Sequence, residues 1–490
     1  MMVMQKKSKY LYAYMGLIIG VLIFGFANST TQDCDIWWHL QNGKMIFEYH
    51  QWPSPDQYSY ITHQTPWIVH SWLADCFFYV LYKYGGYSSL EIVRIFVHLT
   101  FAVTCSRICY RKGVRLECCI ILSFLAMYLV CDREVRPFIF SELGALAVFY
   151  LIRNPVFPKI YTPFISALSL IWVNVHPMSI IFSIYLAIIL IVNYTLLFFK
   201  KYYNKSLFIQ LFNNNWILAC LLFIGCSFVN PNPIGWLQRI YHSPAYGTFD
   251  WQNIYFVTWH RFSYYYLKFI ILHVLLILYI LLIVGKMAKI VERNSLNEIA
   301  FGCFCLFLAF RFERTQWLMV FPMISILVHS DYSIFMKNNK PNIYYRQPLY
   351  FYIFLQMLRF QIPQMEMMPV QSIIYWNENS FGGNVYCKWT WSGYVHWHTN
   401  GTAKTFVDTR IEPFNRTEIE LAIRAQENVI SYLGDLARKG TEYLLLENLK
   451  FKKQLGDIIK SNLAIVLYRN DKEILLKLNI EKVRELYGNN

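Results

Sequence analysis

The stretch Asp33-Cys-Asp-Ile-Trp-Trp-His-Leu-Gln-Asn-Gly-Lys-Met-Ile46 places two carboxylates, two tryptophans and one histidine in a single short segment. It follows an apolar run, from Tyr10 to about Asn28, that is itself preceded by three lysines. At about 1.5 Å per helical residue, such a run is long enough to cross a hydrocarbon core about 30 Å thick. The alternative, a cleaved signal peptide, is disfavoured because no small-residue cleavage site is evident. The polar segment therefore follows a predicted transmembrane helix.

The composition is typical of a membrane protein. Of the 490 residues, 56% are hydrophobic and 15% are charged, whereas globular proteins average about 25% charged residues. The 15 Trp, 37 Tyr and 38 Phe suit a chain that anchors itself at membrane interfaces. A net charge of +15 would favour nucleic-acid binding in a soluble protein, but here the loops between apolar runs carry it. The expected surroundings are a lipid bilayer, and no nucleic-acid partner is predicted.

Ten further apolar stretches predict ten more membrane-spanning helices, so that about eleven transmembrane helices are expected. They lie at approximately 88–110, 116–131, 138–152, 160–176, 178–199, 215–230, 267–285, 297–311, 315–330 and 343–360. If the N-terminus is cytoplasmic, the even-numbered connections carry the Lys and Arg clusters, as the positive-inside rule requires. The segment that begins at Asp33 is then extracytoplasmic.

The composition changes at about Gln361, and residues 361–490 are predicted to form a soluble α/β domain on the extracytoplasmic side. Four apolar stretches predict strands, and a three- and four-residue spacing of apolar residues predicts a helix over Arg416–Lys439. The predicted strands are Thr405–Val407, Tyr443–Leu446, Ala464–Tyr468 and Ile474–Leu478. Residues 1–360 form the predicted transmembrane domain, with 28–87 as its first extracytoplasmic loop.

Within that loop, the segment after Asp35 has the pattern of an amphipathic helix. Ile36, Trp37, Leu40 and Phe47 fall on one helical face, which predicts an interfacial helix lying flat on the membrane with Asp35 at its N-cap.

Asp33 and Asp35 are the candidate catalytic residues, because a carboxylate can act as a general base. Side chains at i and i+2 of an extended chain point to opposite sides, so one Asp is expected to be the base and the other to be structural or to bind a metal ion. The simpler alternative is that Asp35 only caps the helix and Asp33 is solvated.

Candidate substrate-binding residues flank these carboxylates. Taken alone, a histidine here is more often a hydrogen-bonding prop than a ligand, and no zinc-helix spacing is present. If the reaction uses a divalent cation, Asp33, Asp35 and His39 are its expected ligands, and no other cofactor is predicted. The flanking candidates are Trp37, Trp38, His39 and His70.

Four arginines lie at the predicted extracytoplasmic ends of spans, where ionisable residues point to a functional site. Snorkelling to lipid headgroups is the alternative role. As a group on the same side as the Asp loop, they suit a lipid phosphate, because guanidinium groups bind phosphate through two parallel hydrogen bonds. These arginines are Arg133, Arg136, Arg311 and Arg314.

The first-loop motif from Asp33 to Ile46 resembles the signature of bacterial multi-pass membrane proteins of the GT-C glycosyltransferase superfamily, related to dolichyl-phosphate-mannose-type and lipid A aminoarabinose-type transferases. Further segments resemble landmarks of the same family: Pro-Ser-Pro-Asp-Gln-Tyr-Ser-Tyr (53–60), His-Ser-Trp-Leu-Ala (70–74), Tyr-Gly-Gly (84–86), Arg136-Pro137, Trp-Val-Asn-Val-His (172–176), Asn-Pro-Asn-Pro-Ile-Gly (230–235), Trp391-Ser-Gly-Tyr394 and Phe406-Val-Asp-Thr-Arg410. The chain departs from the family pattern at Ser71, where Glu is common, and at Thr409, where Gly is common.

The resemblance implies a polytopic GT-C-like enzyme of the bacterial cytoplasmic membrane and cell envelope. It implies an inverting transfer of a sugar from a polyprenyl-phosphate-linked donor to a glycan, lipid or protein acceptor, with a first-loop Asp as base. His176, Asp408 and Arg410 are added as substrate-binding residues by the same resemblance.

Two other functions stay open from the sequence alone. A polysaccharide polymerase or ligase would also use lipid-linked glycans and extracytoplasmic loops. A catalytically inactive GT-C relative would instead serve as a membrane assembly or lipid-binding subunit. The position of the Asp-rich loop directly after the first span favours the glycosyltransferase over the polymerase.

Overall fold

A computed structural model of the protein describes residues 34–130, 135–153, 159–201, 215–231, 273–280, 293–311, 313–329, 368–410 and 413–487. The chain divides into two compact units. Of the described residues, those between 85 and 329 form the helical unit, and residues 34–84 together with those between 368 and 487 form the sheet unit. The first loop thus packs with the C-terminal region, which differs from its predicted place in the transmembrane domain.

The helices of the described residues are numbered in chain order. Shorter 3-10 turns lie at Pro137–Phe140, Lys159–Tyr161, Glu313–Met319, Trp389–Trp391 and Ile430–Tyr432. The α-helices are α1 Ile36–Phe47, α2 Trp72–Arg111, α3 Leu116–Val130, α4 Ser141–Arg153, α5 Thr162–Val175, α6 Met178–Lys201, α7 Asn215–Cys226, α8 Arg293–Arg311, α9 Val320–His329, α10 Val370–Glu378, α11 Ser392–His398, α12 Arg416–Glu427, α13 Leu433–Arg438, α14 Lys452–Lys460 and α15 Ile480–Tyr487.

The helical unit contains a helix at each predicted span that falls within the described ranges. The spans predicted between 88 and 230 correspond to α2–α7, and those between 297 and 330 correspond to α8 and α9. Among the described helices, α2 is the one that is long and apolar enough to cross a membrane by length and composition. Of the span predicted at 267–285, residues 273–280 are described and are helical, while the spans predicted at 10–28 and 343–360 lie outside the described residues. The helices are therefore confirmed, and the total of eleven crossings stays a prediction.

Polar side chains join neighbouring helices of this unit. Ser169 donates to the carbonyl of Phe223 over 2.6 Å, and the indole of Trp216 donates to the carbonyl of Leu151 over 2.6 Å. Such hydrogen bonds are a usual means of helix association where apolar surroundings offer no other polar partner. α2 departs from helical geometry at Gly86, whose φ of +63° favours glycine, and the boundary between the two units falls beside it.

The sheet unit is built on five strands in the order β2-β1-β3-β5-β4. β1 pairs in parallel with both β2 and β3, while β5 pairs antiparallel with β3 and β4. Helices α12, α13 and α14 supply apolar side chains to the core together with the strands. The strands are β1 Gly383–Cys387, β2 Ala403–Thr405, β3 Tyr443–Glu447, β4 Ala464–Arg469 and β5 Glu473–Leu478.

The first loop extends this sheet at its β2 edge. Ser59 forms a parallel bridge with Thr405, and the amide of Tyr60 donates to the Thr405 carbonyl over 3.2 Å. The Ser59 hydroxyl also donates to the carbonyl of Phe406 over 2.6 Å. Because strand edges expose unpaired backbone groups, this pairing fixes the loop onto the C-terminal module.

Three of the four predicted strands are confirmed as β3, β4 and β5, and the fourth overlaps β2 at Thr405. β1 was not predicted. The predicted helix over Arg416–Lys439 is interrupted, because α12 ends at Glu427 and α13 begins at Leu433.

Candidate functional site

Helix α1 is the central element of the site, and the sheet unit surrounds it. Seven of its residues are buried, among them three members of the predicted apolar face: Ile36, Trp37, Trp38, Leu40, Asn42, Gly43 and Met45. The surface helix that the sequence predicted therefore differs from the structure: its apolar face is covered by protein, and Phe47 is the exposed member of that face.

Two helices approach α1 at glycines. A Cβ atom added to Gly43 would lie 2.1 Å from the Asp75 carbonyl oxygen of α2, and one added to Gly393 would lie 3.0 Å from the Trp38 indole nitrogen. The close backbone approach at Gly43 thus requires glycine, whereas a larger residue at Gly393 would require its neighbours to shift by a few tenths of an ångström.

Asp35 occupies the predicted N-cap position of α1 and is half-buried. Its backbone is helical (φ −81°, ψ −21°) and its side chain makes no capping hydrogen bond, whereas a capping residue usually adopts an extended conformation. The thiol of Cys34 donates to Asp35 Oδ1 over 3.8 Å. Asp33 lies outside the described residues.

His39 takes part in a hydrogen-bonded network with residues that the sequence analysis did not single out. Its Nδ1 lies 2.7 Å from Asp75 Oδ1. The amide of Asn42 donates to Asp75 Oδ2 over 3.1 Å, and the Tyr58 hydroxyl donates to Asn42 Oδ1 over 3.0 Å. The carboxylate of Asp75 is 2% exposed and the imidazole of His39 is 17% exposed. The buried end of this network lies behind the more accessible histidine.

Arg410 lies at a buried ion cluster with two aspartates. Its guanidinium donates to Asp56 over 2.8 and 3.2 Å and to Asp408 over 2.6 and 2.9 Å. The rings of Trp38, Tyr58 and Trp67 surround the cation at 4.6 to 4.8 Å, a distance suited to cation–π attraction. The cluster joins the first loop to the segment after β2.

The two carboxylates differ in proton affinity. Burial alone would raise the pKa of Asp56, but the charge of Arg410 and hydrogen bonds from Arg410 and Thr62 lower it overall. Burial outweighs the same stabilisation at Asp408 and raises its pKa. The guanidinium of Arg410, although shared by two carboxylates, thus stabilises the ionised form of Asp56.

His396 lies beside this cluster, with its ring centroid 4.9 Å from that of Tyr58. Burial, with the nearby charge of Arg410, lowers the pKa of His396 to about 3. Its Nδ1 is buried without a hydrogen-bond partner among the described residues. This histidine is therefore neutral at ordinary pH.

The other predicted site residues of the sheet unit have defined places. Trp37 is buried, with its ring centroid 4.8 Å from His398 and 5.3 Å from Tyr394. The Trp38 indole donates to the Thr409 hydroxyl over 3.2 Å, so the residue that departs from the family pattern supplies a hydrogen bond. His70 is half-buried just before α2.

Predicted residues of the helical unit form a second group around the start of α4. His176 Nδ1 lies 3.1 Å from the Ser141 hydroxyl, and its ring lies 5.2 Å from Phe138. Arg136 precedes the Pro137–Phe140 turn. The ring of Phe138 lies 6.1 Å from Trp317, which follows Arg314 within the Glu313–Met319 turn.

The asparagines of the 172–176 and 230–235 motifs are also close together in this unit. Asn174 donates to the Val229 carbonyl over 2.9 Å, and Asn230 donates to the Val173 carbonyl over 3.0 Å. Arg133 lies outside the described residues, and Arg311 and Arg314 are described in their backbone alone.

Within the described ranges, no group of three or more His, Cys, Asp or Glu side chains is placed to hold a metal ion. Because Asp33 lies outside those ranges, the divalent-cation site predicted from Asp33, Asp35 and His39 stays a prediction.

The residues that sequence reasoning missed are Asn42, Asp56, Tyr58, Asp75 and His396. Four of them lie inside or beside quoted motifs: Asn42 in the first-loop motif, Asp56 and Tyr58 in the 53–60 motif, and Asp75 directly after the 70–74 motif. The sequence reveals the motifs, but a single sequence does not show which residues of different motifs contact one another in the folded protein.

No protein-family model matches the sequence, and no curated protein sequence matches it. Solved structures do match. One is the oligosaccharyltransferase of Archaeoglobus fulgidus tethered to an acceptor peptide containing the NVT sequon, with a TM-score of 0.52, 10% identity, and coverage of 89% of this chain and 69% of that chain. A second is the oligosaccharyltransferase AglB of Archaeoglobus fulgidus in complex with an inhibitory peptide and a dolichol-phosphate, with a TM-score of 0.50, 10% identity, and coverage of 90% of this chain and 70% of that chain. The fold is thus similar to that of these two solved structures.

Proposed function

We propose that this protein is a membrane glycosyltransferase that moves a sugar from a polyprenyl-phosphate-linked donor to an acceptor on the extracytoplasmic face. The observation that carries the proposal is the similarity of its fold, over 89% and 90% of the chain, to two oligosaccharyltransferase structures. One of those proteins binds a dolichol-phosphate, which is a lipid phosphate of the proposed donor class. The other is tethered to an acceptor peptide, which supports an acceptor that approaches from the aqueous side.

Asp35 is the proposed general base. Transfer with inversion requires a group that takes the proton of the incoming acceptor while the bond from the anomeric carbon to the phosphate breaks. Asp35 is half-buried at the start of α1, next to the tryptophans and the histidine of the first-loop motif. A partly buried carboxylate at such a position suits a base.

The departing phosphate requires cations or hydrogen-bond donors, since negative charge accumulates on it as the bond breaks. Within the helical unit, the turns that carry Arg136 and Arg314 are neighbours through Phe138 and Trp317. This adjacency supports a shared role of those arginines in binding phosphate, as the sequence predicted.

A catalytically inactive relative with an assembly or lipid-binding role is the competing hypothesis. Purified protein in lipid nanodiscs, given a panel of polyprenyl-phosphate sugars and hydroxyl-bearing or peptide acceptors, decides between the two. We expect the Asp35→Asn variant to lose at least about a hundredfold in turnover, the effect of a lost general base. The matched control is Asp435→Asn, which changes an exposed carboxylate paired with Arg438 and should leave turnover unchanged. Transfer that is absent in the wild-type protein with every donor would favour the inactive relative.

A further inference from the structure

We propose that His176, in its neutral form, donates a hydrogen bond from Nε2 to a phosphate oxygen of the lipid-linked donor, and that Ser141 is the residue that positions it. This inference rests on the proposed function, because it names a phosphate ligand for the same donor. The family resemblance placed His176 among the substrate-binding residues without naming the group that it contacts, and it gave no role to Ser141.

The backbone at His176 turns its side chain toward the residues that follow. Helix α5 ends at Val175, and His176 is extended, with φ −156° and ψ 131°. The proline at position 177 disfavours a helical conformation for the residue before it, which accounts for this change. The imidazole thereby reaches the backbone amide of Met178, which donates to Nδ1 over 3.3 Å. The His-Pro sequence thus leads to a local turn that fixes one ring nitrogen.

The partners of Nδ1 determine which nitrogen of the imidazole carries the hydrogen. A backbone N–H only donates, so Nδ1 accepts from Met178 and carries no hydrogen itself. The Ser141 hydroxyl lies 3.1 Å from the same Nδ1 and therefore donates to it. The oxygen of that hydroxyl accepts from the Trp172 indole over 3.1 Å, since an indole N–H only donates. The hydrogen of the neutral His176 ring therefore lies on Nε2.

This tautomer makes His176 a hydrogen-bond donor without any change in its charge. A neutral imidazole has one donor nitrogen and one acceptor nitrogen, and the acceptor is already engaged by Ser141 and Met178. A metal ion binds a ring nitrogen that carries no hydrogen, so a role as metal ligand does not fit this arrangement. Donation from Nε2–H is the chemistry that the tautomer offers to a ligand.

Burial distinguishes the two sides of the ring. Ser141 is 0% exposed and Trp172 is 2% exposed, whereas His176 is half-buried. Because the Nδ1 edge is covered by Ser141, the accessible part of His176 lies away from Nδ1. A side chain that is fixed on its buried side loses little further freedom when a ligand binds to its other side. His176 is thus oriented by the fold before a ligand arrives.

The turn beside His176 supports phosphate as its ligand. Arg136 directly precedes the Pro137–Phe140 turn and Ser141 directly follows it. The ring of Phe138, within that turn, lies 5.2 Å from the His176 ring at an interplanar angle of 90°. One four-residue turn thus connects the His176 site with an arginine proposed to bind phosphate. A fixed donor beside a cation stabilises the negative charge that develops on a departing phosphate, and Nε2 keeps its hydrogen throughout.

The kinetic test uses two variants that separate the roles of the two ring nitrogens. In His176→Asn the amide oxygen can replace Nδ1 as the acceptor, but the side chain is too short to replace Nε2–H. In His176→Gln the amide nitrogen can replace the Nε2–H donor. We expect kcat/KM for the donor in nanodiscs to fall about ten- to a hundredfold in His176→Asn, the effect of one hydrogen bond to a charged group, and to fall less in His176→Gln. A purely structural role predicts the opposite order. His63→Asn, at an exposed position, is the matched control.

A second measurement does not depend on turnover. With 15N-labelled histidine, the pair of ring resonances that disappears in His176→Asn belongs to His176, and NMR should find its hydrogen on Nε2. In Ser141→Ala one of the two donors to Nδ1 is lost, so the fraction of rings with the hydrogen on Nδ1 should rise. Farnesyl phosphate, a short isoprenoid phosphate, should shift the Nε2 resonance of the wild-type protein. Inorganic phosphate at the same concentration should leave it unmoved.

Several results would overturn the inference. A hydrogen on Nδ1 in the wild-type protein is one, and an Nε2 resonance that farnesyl phosphate leaves unmoved is another. An equal shift with inorganic phosphate would assign the site to free phosphate instead of the lipid-linked donor. An active wild-type protein whose His176→Asn variant keeps its full kcat/KM would remove His176 as a phosphate ligand and leave the proposed function standing. If the wild-type protein transfers no sugar from any donor, the proposed function fails, whereas a shift specific to farnesyl phosphate still supports the contact with His176.

Discussion

Arg410 shows how much of the sheet unit depends on single side chains. It donates four side-chain hydrogen bonds to Asp56 and Asp408, and both carboxylates are fully buried. Removal of the cation would leave two buried carboxylates without a counter-charge, which is strongly unfavourable in a low-dielectric interior. The same cation has no exposed side from which to bind a substrate unless the cluster opens, since its side chain is 5% exposed.

We therefore predict that Arg410→Met lowers the free energy of unfolding by about 3–5 kcal/mol, the usual cost of breaking a buried ion pair. Arg438→Met is the control, because the pair of Arg438 with Asp435 is exposed and such pairs contribute about 1 kcal/mol or less. Urea unfolding of the detergent-purified protein, followed by tryptophan fluorescence, measures both. Unchanged stability of Arg410→Met together with lost transfer would instead support the substrate-binding role predicted from the sequence.

His396 makes the sheet unit sensitive to pH. The pKa of His396 is lowered to about 3 in the folded state by burial and by the charge of Arg410, while an unfolded histidine has a pKa of about 6.5. As pH falls below 6.5, the unfolded chain binds a proton that the folded one does not, so stability decreases from that point down to about pH 3.

Between pH 7 and pH 5 the wild-type protein should lose about 2 kcal/mol of stability from this histidine. The His396→Phe variant should lack that part of the decrease, whereas His63→Phe, at an exposed position, should retain it. Other titrating groups, including Asp56, Asp408 and Lys404, are common to all three proteins, so the comparison isolates His396. Identical pH dependence of all three unfolding midpoints would contradict the lowered pKa.

At the scale of residues, the sequence indicates which side chains belong to the site but not which side chains they contact. The motif Phe406–Arg410 drew attention to Asp408 and Arg410, which do pair with each other. Asp56, the second carboxylate of Arg410, lies 354 positions away along the chain. No local pattern connects residues so far apart, because their proximity results from the pairing of the first loop with the edge of the sheet.

At the scale of elements, the crossing of α1 and α2 depends on Gly43. An alanine methyl group there would lie 2.1 Å from the carbonyl oxygen of Asp75 and 2.6 Å from the Tyr79 Cβ. The obstacle is backbone, which cannot rotate away as a flexible side chain could. The two helices would have to separate, and the network of His39 with Asp75 would be stretched.

We predict that Gly43→Ala destabilises the protein by about 1–3 kcal/mol, as overpacking usually does, and reduces transfer. The matched control is Gly456→Ala in α14, where an added Cβ meets nothing within 4 Å. In that open helical position alanine should stabilise by about 0.5–1 kcal/mol. We expect the thermal midpoint to fall in Gly43→Ala and to rise in Gly456→Ala. A higher midpoint in Gly43→Ala would contradict the close approach of α1 and α2.

Element types were predicted better than their surroundings. The apolar face of α1 has the same spacing whether lipid or protein covers it, which is why the sequence predicted lipid contact for Ile36, Trp37 and Leu40, which are buried by protein. The spacing over Arg416–Lys439 continues past Asn428, but the chain leaves helical geometry there, with φ −144° and ψ 85°. β1 was missed because Gly383–Cys387 begins with glycine and has no run of alternating apolar residues.

At the scale of the whole molecule, the GT-C-like fold expected from the first-loop motif agrees with the similarity to oligosaccharyltransferase structures. That similarity exists at 10% identity. The grouping of 32–84 with the C-terminal region was not predictable, since about 280 residues separate the two segments and their contacts are non-local.

The last prediction concerns membrane topology. The positive-inside rule assigns the Arg111–Lys112 connection to the cytoplasm and the C-terminal region to the opposite side. A thiol introduced at Ser461, an exposed position after α14, should react with a membrane-impermeant maleimide on intact cells. A thiol introduced at Lys112, equally exposed between α2 and α3, should react only after permeabilisation. The unsubstituted protein provides the background from its own cysteines. Labelling of Lys112→Cys on intact cells, with Ser461→Cys protected, would show that the predicted orientation is reversed. Asp35 would then lie on the cytoplasmic side, where it could not reach a donor on the extracytoplasmic face.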